Sequence, residues 1–187
     1  MQRLLEKYKK EVVPEMMKKF GYKNSMAVPR IVKVVLNTGF GKIVAGKTGD
    51  EQKKIGLAIL EDLGAISGQR PSLNSAKKSI AGFKVRQGTA IGASVTLRGK
   101  KMYDFLERLI SIALPRSRDF RGLSSKSFDQ RGSFSLGIKE HIIFPEVSPE
   151  KSKNIFGLEI SVMTSAKTKE EGMNLLKAME FPIKQNN

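Results

Sequence analysis

The 187-residue chain contains no cysteine, which excludes both disulfides and thiolate metal sites. It has one histidine, His141, so a histidine-based triad or a multi-histidine metal centre has almost nothing to draw on. No metal site, cofactor or enzymatic role is expected. No apolar run approaches the ~20 residues needed to cross a bilayer. The opening residues Met1–Lys7 mix acids and bases instead of forming the apolar stretch of a signal peptide, and Glu6, Glu11 and Glu15 are unlike an organellar transit sequence. A cytoplasmic protein with no membrane partner is the expectation.

Acidic residues are also scarce. There are 34 Lys and Arg against 18 Asp and Glu, a net charge of +16. Such an imbalance costs folding energy by self-repulsion and is tolerated where a polyanion neutralises it. About 40% of residues are hydrophobic, enough to bury a core, and the length suits one domain spanning residues 1–187.

Residues 2–20 carry Leu4, Leu5, Tyr8, Val12 and Met16 at helical spacing, with a break or kink expected near Val13 because Pro14 follows. Ile31–Asn37 reads as a strand, with Val32, Val34 and Leu36 on one face and Lys33, Val35 and Asn37 on the other. A helix over Glu51–Leu63 buries Ile55, Ile59 and Leu63 and ends on Gly64. Gln69–Asn74 is an edge strand, since Pro71 lacks a donor. In Ile91–Arg98, Ile91, Ala93, Val95 and Leu97 point inward, and Gly92, Ser94, Thr96 and Arg98 outward. The helix Lys100–Leu114 has one apolar stripe and is expected to stop at Pro115. A basic loop over 116–133 follows, then strands at Phe134–Ile138 and Phe156–Thr164. Thr168 and Glu171 form a capping box for a last helix through Glu180. This irregular alternation predicts an α+β fold. Helices cover one face of a mainly antiparallel sheet, and the other face stays open beside long basic loops.

Gly41–Thr48 fits the phosphate-binding pattern G-x-x-x-x-G-K-[ST] after a strand. That mechanism needs a helix to begin within the loop. Gly49 and Asp50 intervene instead, Asp50 is the expected cap, and Leu57–Asp62 belongs to a helix, so a second acid would stand on the wrong element. A flexible basic loop is the preferred reading, with a small nucleotide-binding phosphotransferase as the rival.

Between Asp62 and Asp104 there is no acid. Arg70, Lys77, Lys78, Lys84, Arg86, Arg98, Lys100 and Lys101 put +8, half the net charge, into about a fifth of the chain. Within it, Lys77, Lys78, Phe83, Lys84 and Arg86 belong to a projecting loop with an apolar tip, suited to lying along phosphates. No helix is both basic on one face and free of core duties, as a major-groove reader requires, so shaped RNA is preferred over duplex DNA. Arg116, Arg118 and Arg121 form a second basic cluster, which either contacts RNA or pairs with Asp119 and Asp129. His141 lacks a partner cluster and is expected to be structural.

Several segments together resemble one family. Leu114–Leu123 (LPRSRDFRGL), Gly137–Glu140, Ile143–Glu146, Lys77–Lys84, Gly68–Pro71, Asn37–Gly41 and Thr164–Thr168 are similar to the bacterial ribosomal protein "L-five" family, in order and across the whole chain. The resemblance implies a structural protein that binds 5S ribosomal RNA and helps attach it in the central protuberance of the large subunit. Asn37, Gln69 and Thr96 match positions that hydrogen-bond the RNA from the sheet, and Lys33, Arg70, Ser94 and Arg98 extend that set. The Lys77–Arg86 loop matches one that reaches peptidyl-site transfer RNA. The region from Arg116 to Glu146 is similar to the part near a bridge to a small-subunit head protein. Large-subunit RNA and neighbouring 5S-binding proteins complete the implied partners. The chain departs from the family's pattern in a longer Lys42–Asp50 connection, in Gly132-Ser133-Phe134, and in His141 where glutamine is common.

Overall fold

The computed structural model describes residues 3–118, 120–150, 152 and 154–184; Gln2, expected in the first helix, and Asp119, a suggested arginine partner, lie outside them. The elements run α1 (Arg3–Lys7), a π-helical segment (Tyr8–Val12), α2 (Val13–Phe20), β1 (Ile31–Gly39), α3 (Gly41–Val44), α4 (Gly49–Ser67), β2 (Ser72–Ser75), β3 (Ala90–Leu97), α5 (Gly99–Arg108), a second π-helical segment (Leu109–Ala113), α6 (Leu114–Arg116), β4 (Phe134–Ile138), β5 (Leu158–Thr164) and α7 (Lys169–Ala178). The strands form one antiparallel sheet in the order β2-β3-β1-β5-β4. The α+β class expected from the alternation is what the chain adopts.

Both prolines expected to break helices are absorbed by the same device. In each case a five-residue π segment ends two positions before the proline, at Val12 before Pro14 and at Ala113 before Pro115. The N–H of Val13 donates to Tyr8 O, and that of Leu114 to Leu109 O, five residues back. Widening the turn displaces the carbonyl that the pyrrolidine ring would otherwise strike. The helix therefore runs past Pro115 to Arg116 instead of stopping at Leu114.

Several further boundaries differ from the expectation. Helix α4 begins two residues earlier than expected, because Thr48 and not Asp50 caps it. It continues through Gly64 to Ser67, burying Ile66, and ends on Gly68 in the left-handed conformation (φ 69°). The last helix ends at Ala178, with Glu180 itself left-handed at φ 64°. Gln69 and Arg70 precede β2 and are not part of it, although β2 is the edge strand that Pro71 suggested.

The chain forms two compact units, residues 1–34, 97–136 and 161–187 in one, and 35–96 and 137–160 in the other. The first buries Val12, Met16, Val34, Leu97, Phe105, Leu106, Phe134, Val162 and Leu175. The second buries Leu36, Phe40, Val44, Ile59, Leu63, Val95, Phe144, Leu158 and Ile160. At the start of β1 the alternation is out of phase with its prediction: Ile31 is buried and Val32 exposed. From Val34 onward it holds, through Leu36 and Thr38.

Candidate nucleic-acid interface

In the second unit, strands β1, β3 and β5 turn their apolar positions inward at Leu36, Ala93, Val95, Leu158 and Ile160. Strict alternation then places Asn37, Ser94, Thr96 and Glu159 on the outward side. Pairing of Ser72 with Ser94 and of Asn74 with Gly92 brings β2's polar residues to the same side. The Asn74 amide donates to Ser94 Oγ at 3.2 Å, and Ser72 Oγ donates to the Ser94 carbonyl at 3.3 Å. Asn37 Nδ2 reaches Glu159 Oε2 at 3.4 Å. Gln69, held after the Gly68 cap, donates from Nε2 to the Thr96 carbonyl at 2.9 Å. Asn37, Gln69, Ser94 and Thr96 are therefore brought together, and exposed Arg70 adjoins Gln69. This row offers amide and hydroxyl groups on a rigid ladder, the chemistry suited to 2′-hydroxyls and phosphate oxygens.

Two side chains of this row were not anticipated. Asn74 ends a strand whose faces its short sequence does not resolve, and Glu159 is left outward by the alternation of buried Leu158, Ile160 and Val162. Gly92, expected to point outward, is buried: a Cβ there would lie 3.0 Å from the Thr38 carbonyl and 3.8 Å from Asn74 Cβ. In the first unit, half-buried Lys33 and exposed Arg98 occupy β1 and the residue before α5, and Ser135 Oγ lies 3.0 Å from Ser161 Oγ.

The Lys77–Arg86 segment is an ordered tongue between β2 and β3. Ile80 and Val85 pair through two backbone bonds of 3.0 and 3.3 Å, and Ser79 Oγ accepts from Gln87 N at 2.9 Å. Its tip exposes Phe83 (69%) and Ile80 (49%), while Lys77, Lys78, Lys84 and Arg86 are all exposed. The 116–133 segment is anchored rather than loose. Leu123 and Phe128 are buried, and Leu123 exchanges backbone bonds with the chain end at Pro182 and Lys184. Arg116, Arg118 and Arg121 are exposed along it. Asp129, one suggested partner for them, accepts the Ser133 N–H at 2.7 Å and so shapes its own turn.

The phosphate-loop look-alike is occupied by its own hydrogen bonds. Residues 41–44 form a helical turn, Val44 N and Ala45 N donate to Phe40 O and Gly41 O, and Lys47 N donates to Val44 O. Thr48 caps α4 reciprocally with Glu51, whose carboxyl is held below its ordinary pKa by the Thr48 N–H. Gln52 Nε2 clamps the carbonyls of Val44 and Lys47 at 3.2 and 3.1 Å. These bonds give the connection a defined turn, and the amides of Ile43, Val44, Ala45, Lys47 and Thr48 are already bonded within the chain instead of facing a phosphate.

His141 has partners that the sequence did not reveal. Fully buried, it stacks on Phe156 with centroids 3.7 Å apart and planes 8° apart. Its Nδ1 accepts the Phe156 N–H at 3.4 Å, which leaves the proton on Nε2 to face Ser152 Oγ at 3.0 Å. Ser152 in turn donates to Asp62 Oδ2 at 2.9 Å. Although the residue types are those of a hydrolytic triad, the bonds run the wrong way: the imidazole faces the serine with its proton and cannot take one from it. Burial, opposed by the Asp62 carboxylate, pulls the imidazole's pKa below the ordinary 6.5. The cluster fastens the 141–156 segment to α4 and is structural.

Two family models match, the "Ribosomal protein L5" family over residues 24–86 and the "ribosomal L5P family C-terminus" over residues 90–183. Relatives named "Large ribosomal subunit protein uL5" match nearly end to end. That of Syntrophomonas wolfei is 53% identical over 98% of this chain and 100% of its own. Those of Shewanella denitrificans and Halothermothrix orenii are 52% and 50% identical, over 99% and 97% of this chain and 100% and 98% of theirs. The similarity spans both compact units and every element described above, and the chain belongs to the ribosomal protein L5 family, whose members are structural proteins of the ribosome and not enzymes.

Proposed function

We propose that this protein is a structural constituent of the large ribosomal subunit that binds 5S ribosomal RNA through the outward polar row of the second unit. The carrying observation is that Asn37, Ser94 and Thr96 share the outward side of the sheet with Gln69 bonded to the Thr96 carbonyl beside them, within a chain whose residues 63–103 carry no acid. Side-chain amides and hydroxyls there would pair with sugar and phosphate oxygens, with exposed Arg70 supplying a cation beside Gln69; Lys33 and Arg98, in the first unit, are further candidate contacts for RNA. The tongue, with Lys77, Lys78, Lys84 and Arg86 around the exposed Phe83, suits contact with peptidyl-site transfer RNA, the apolar tip stacking where the cations hold the backbone. Arg116, Arg118 and Arg121 suit the intersubunit bridge to a small-subunit head protein. Large-subunit RNA and neighbouring 5S-binding proteins are further partners on this reading, with the ribosome as its place of work.

The test is filter binding to 5S RNA with Asn37, Gln69 and Thr96 replaced together by alanine. The expected result is a loss of affinity of at least tenfold with native circular dichroism, each lost polar contact contributing about 0.5–1.5 kcal/mol. Full affinity in the folded triple variant would refute the site, and wild-type protein that ignores 5S RNA and never co-sediments with large subunits would refute the function.

A further inference from the structure

The Lys42–Asp50 connection, expected from the resemblance to be longer than usual, keeps Lys42 and Lys47 exposed on a turn whose amides are largely bonded within the chain. Its position is informative. β1 leads into it at Gly39, and Phe40 N bonds the Ile91 carbonyl at 2.8 Å. Ser75 pairs with Ala90, so β2 ends and β3 begins at that same end of the sheet, where the tongue departs. The two segments then touch. A Cβ built on Gly46 would lie 3.9 Å from Lys84 Cδ, ordinary contact distance, so the aliphatic stem of the tongue's Lys84 rests beside the Gly46 turn. Gly46 (φ 76°) and Lys84 (φ 51°) are both left-handed, which lets each backbone reverse at the point of approach.

Charge makes this contact costly unless a third party shares it. Lys42, Lys47 and Lys84 are all exposed, and among the described residues none forms a salt bridge. Glu51, whose carboxyl feels the Lys47 charge, bonds first to the Thr48 N–H. Gln52 clamps the carbonyls on either side of Gly46, so Lys47 stands on a backbone already fixed before any ligand arrives. A pre-ordered cation adds affinity that a cation on a loose loop loses to ordering entropy.

We propose that the Gly41–Thr48 connection is a second phosphate-contacting edge, Lys42 and Lys47 acting on the backbone of the RNA seated on the outward polar row. The ligand is the phosphodiester backbone of 5S RNA, because Asn37 and Asn74 of that row lie near the strand ends from which the connection and the tongue both leave. This rests on the 5S-binding reading and extends its footprint.

The experiment measures affinity for 5S RNA against salt concentration for the wild type, for Lys42→Ala/Lys47→Ala, and for a charge-matched control, Lys9→Ala/Lys18→Ala, on the exposed side of the first helices. Two lost phosphate contacts lower the slope of log K against log salt by about 1.4–1.8, since each contributes roughly 0.7–0.9. The control should leave the slope unchanged. An unchanged slope in Lys42→Ala/Lys47→Ala, an equal fall in the control, or a fall seen with transfer RNA and not with 5S RNA would overturn the proposal while leaving the 5S-binding reading intact. Absence of wild-type binding would overturn both.

Discussion

At the scale of single residues, His141 shows how burial and hydrogen-bond direction fix a role that residue type leaves open. Its neutral ring accepts at Nδ1 and faces Ser152 with the Nε2 proton, and Ser152 passes the chain on to Asp62. Protonating it would break the Phe156 bond and place a cation under an aromatic ring in a site without solvent. Its native pKa is lowered, so between the unfolded value near 6.5 and the native value the unfolded chain binds the extra proton. Stability contributed by the neutral ring is thus complete above about pH 6.5 and declines as pH falls below it. Urea midpoints measured from pH 8 to 5 should show this decline in the wild type. His141→Gln, which keeps a donor and an acceptor without a titrating group, should flatten that part of the curve. An identical pH profile in the variant would mean that other groups carry the acid sensitivity.

At the scale of elements, the sequence was most legible where one face of an element is buried and periodicity has only one solution. Ala93, Val95 and Leu97, or Ile55, Ile59 and Leu63, could be read directly, and so could the outward Asn37 and Thr96. Boundaries set by a choice between backbone solutions were not legible. Pro14 and Pro115 look like breaks, yet a widened turn before each removes the clash, and no residue pattern announces that choice. Thr48 and Asp50 are both good caps, and the reciprocal bond to Glu51 decides between them. Contacts between distant segments were hidden for a simpler reason: Asp62 and Ser152 are 90 residues apart. The seating of α7 belongs to this hidden class. Gly172 in its first turn lies against Gly132, so a Cβ at Gly172 would sit 2.2 Å from the Gly132 carbonyl oxygen and 2.4 Å from its Cα. Both obstacles are backbone and cannot rotate away. Gly172→Ala should therefore destabilise the protein by about 3 kcal/mol or more, at the upper end for overpacking. At ~2–4 °C per kcal/mol for a chain of this size, Tm should fall by at least about 6 °C. Gly137→Ala, with nothing within 4 Å, should leave Tm within a degree or two; equal effects in both would show that α7 sits elsewhere.

At the scale of the whole molecule, the question is whether two compact units amount to two domains. Domain boundaries normally fall in exposed linkers crossed by few contacts. Here the divisions fall between Val34 and Val35, Thr96 and Leu97, Leu136 and Gly137, and Ile160 and Ser161, each within a strand: β1, β3, β4 and β5 in turn. Unfolding one unit alone would have to stop inside four strands, where the backbone runs on as extended chain with no linker to take up the change. We propose that residues 1–187 fold as one cooperative domain. Calorimetric and van't Hoff enthalpies of unfolding should then agree, and far-ultraviolet dichroism should share one urea midpoint with a probe specific to each unit, tyrosine fluorescence from Tyr8 and Tyr103 for the first and exchange of the Ile59–Leu63 amides of α4 for the second. Two separated midpoints would overturn the proposal. A single one would mean that the outward polar row, the tongue and the basic 116–121 segment are lost or kept together, so a destabilising change in the first unit, such as Gly172→Ala, should lower the fraction competent to bind 5S RNA in step with global stability.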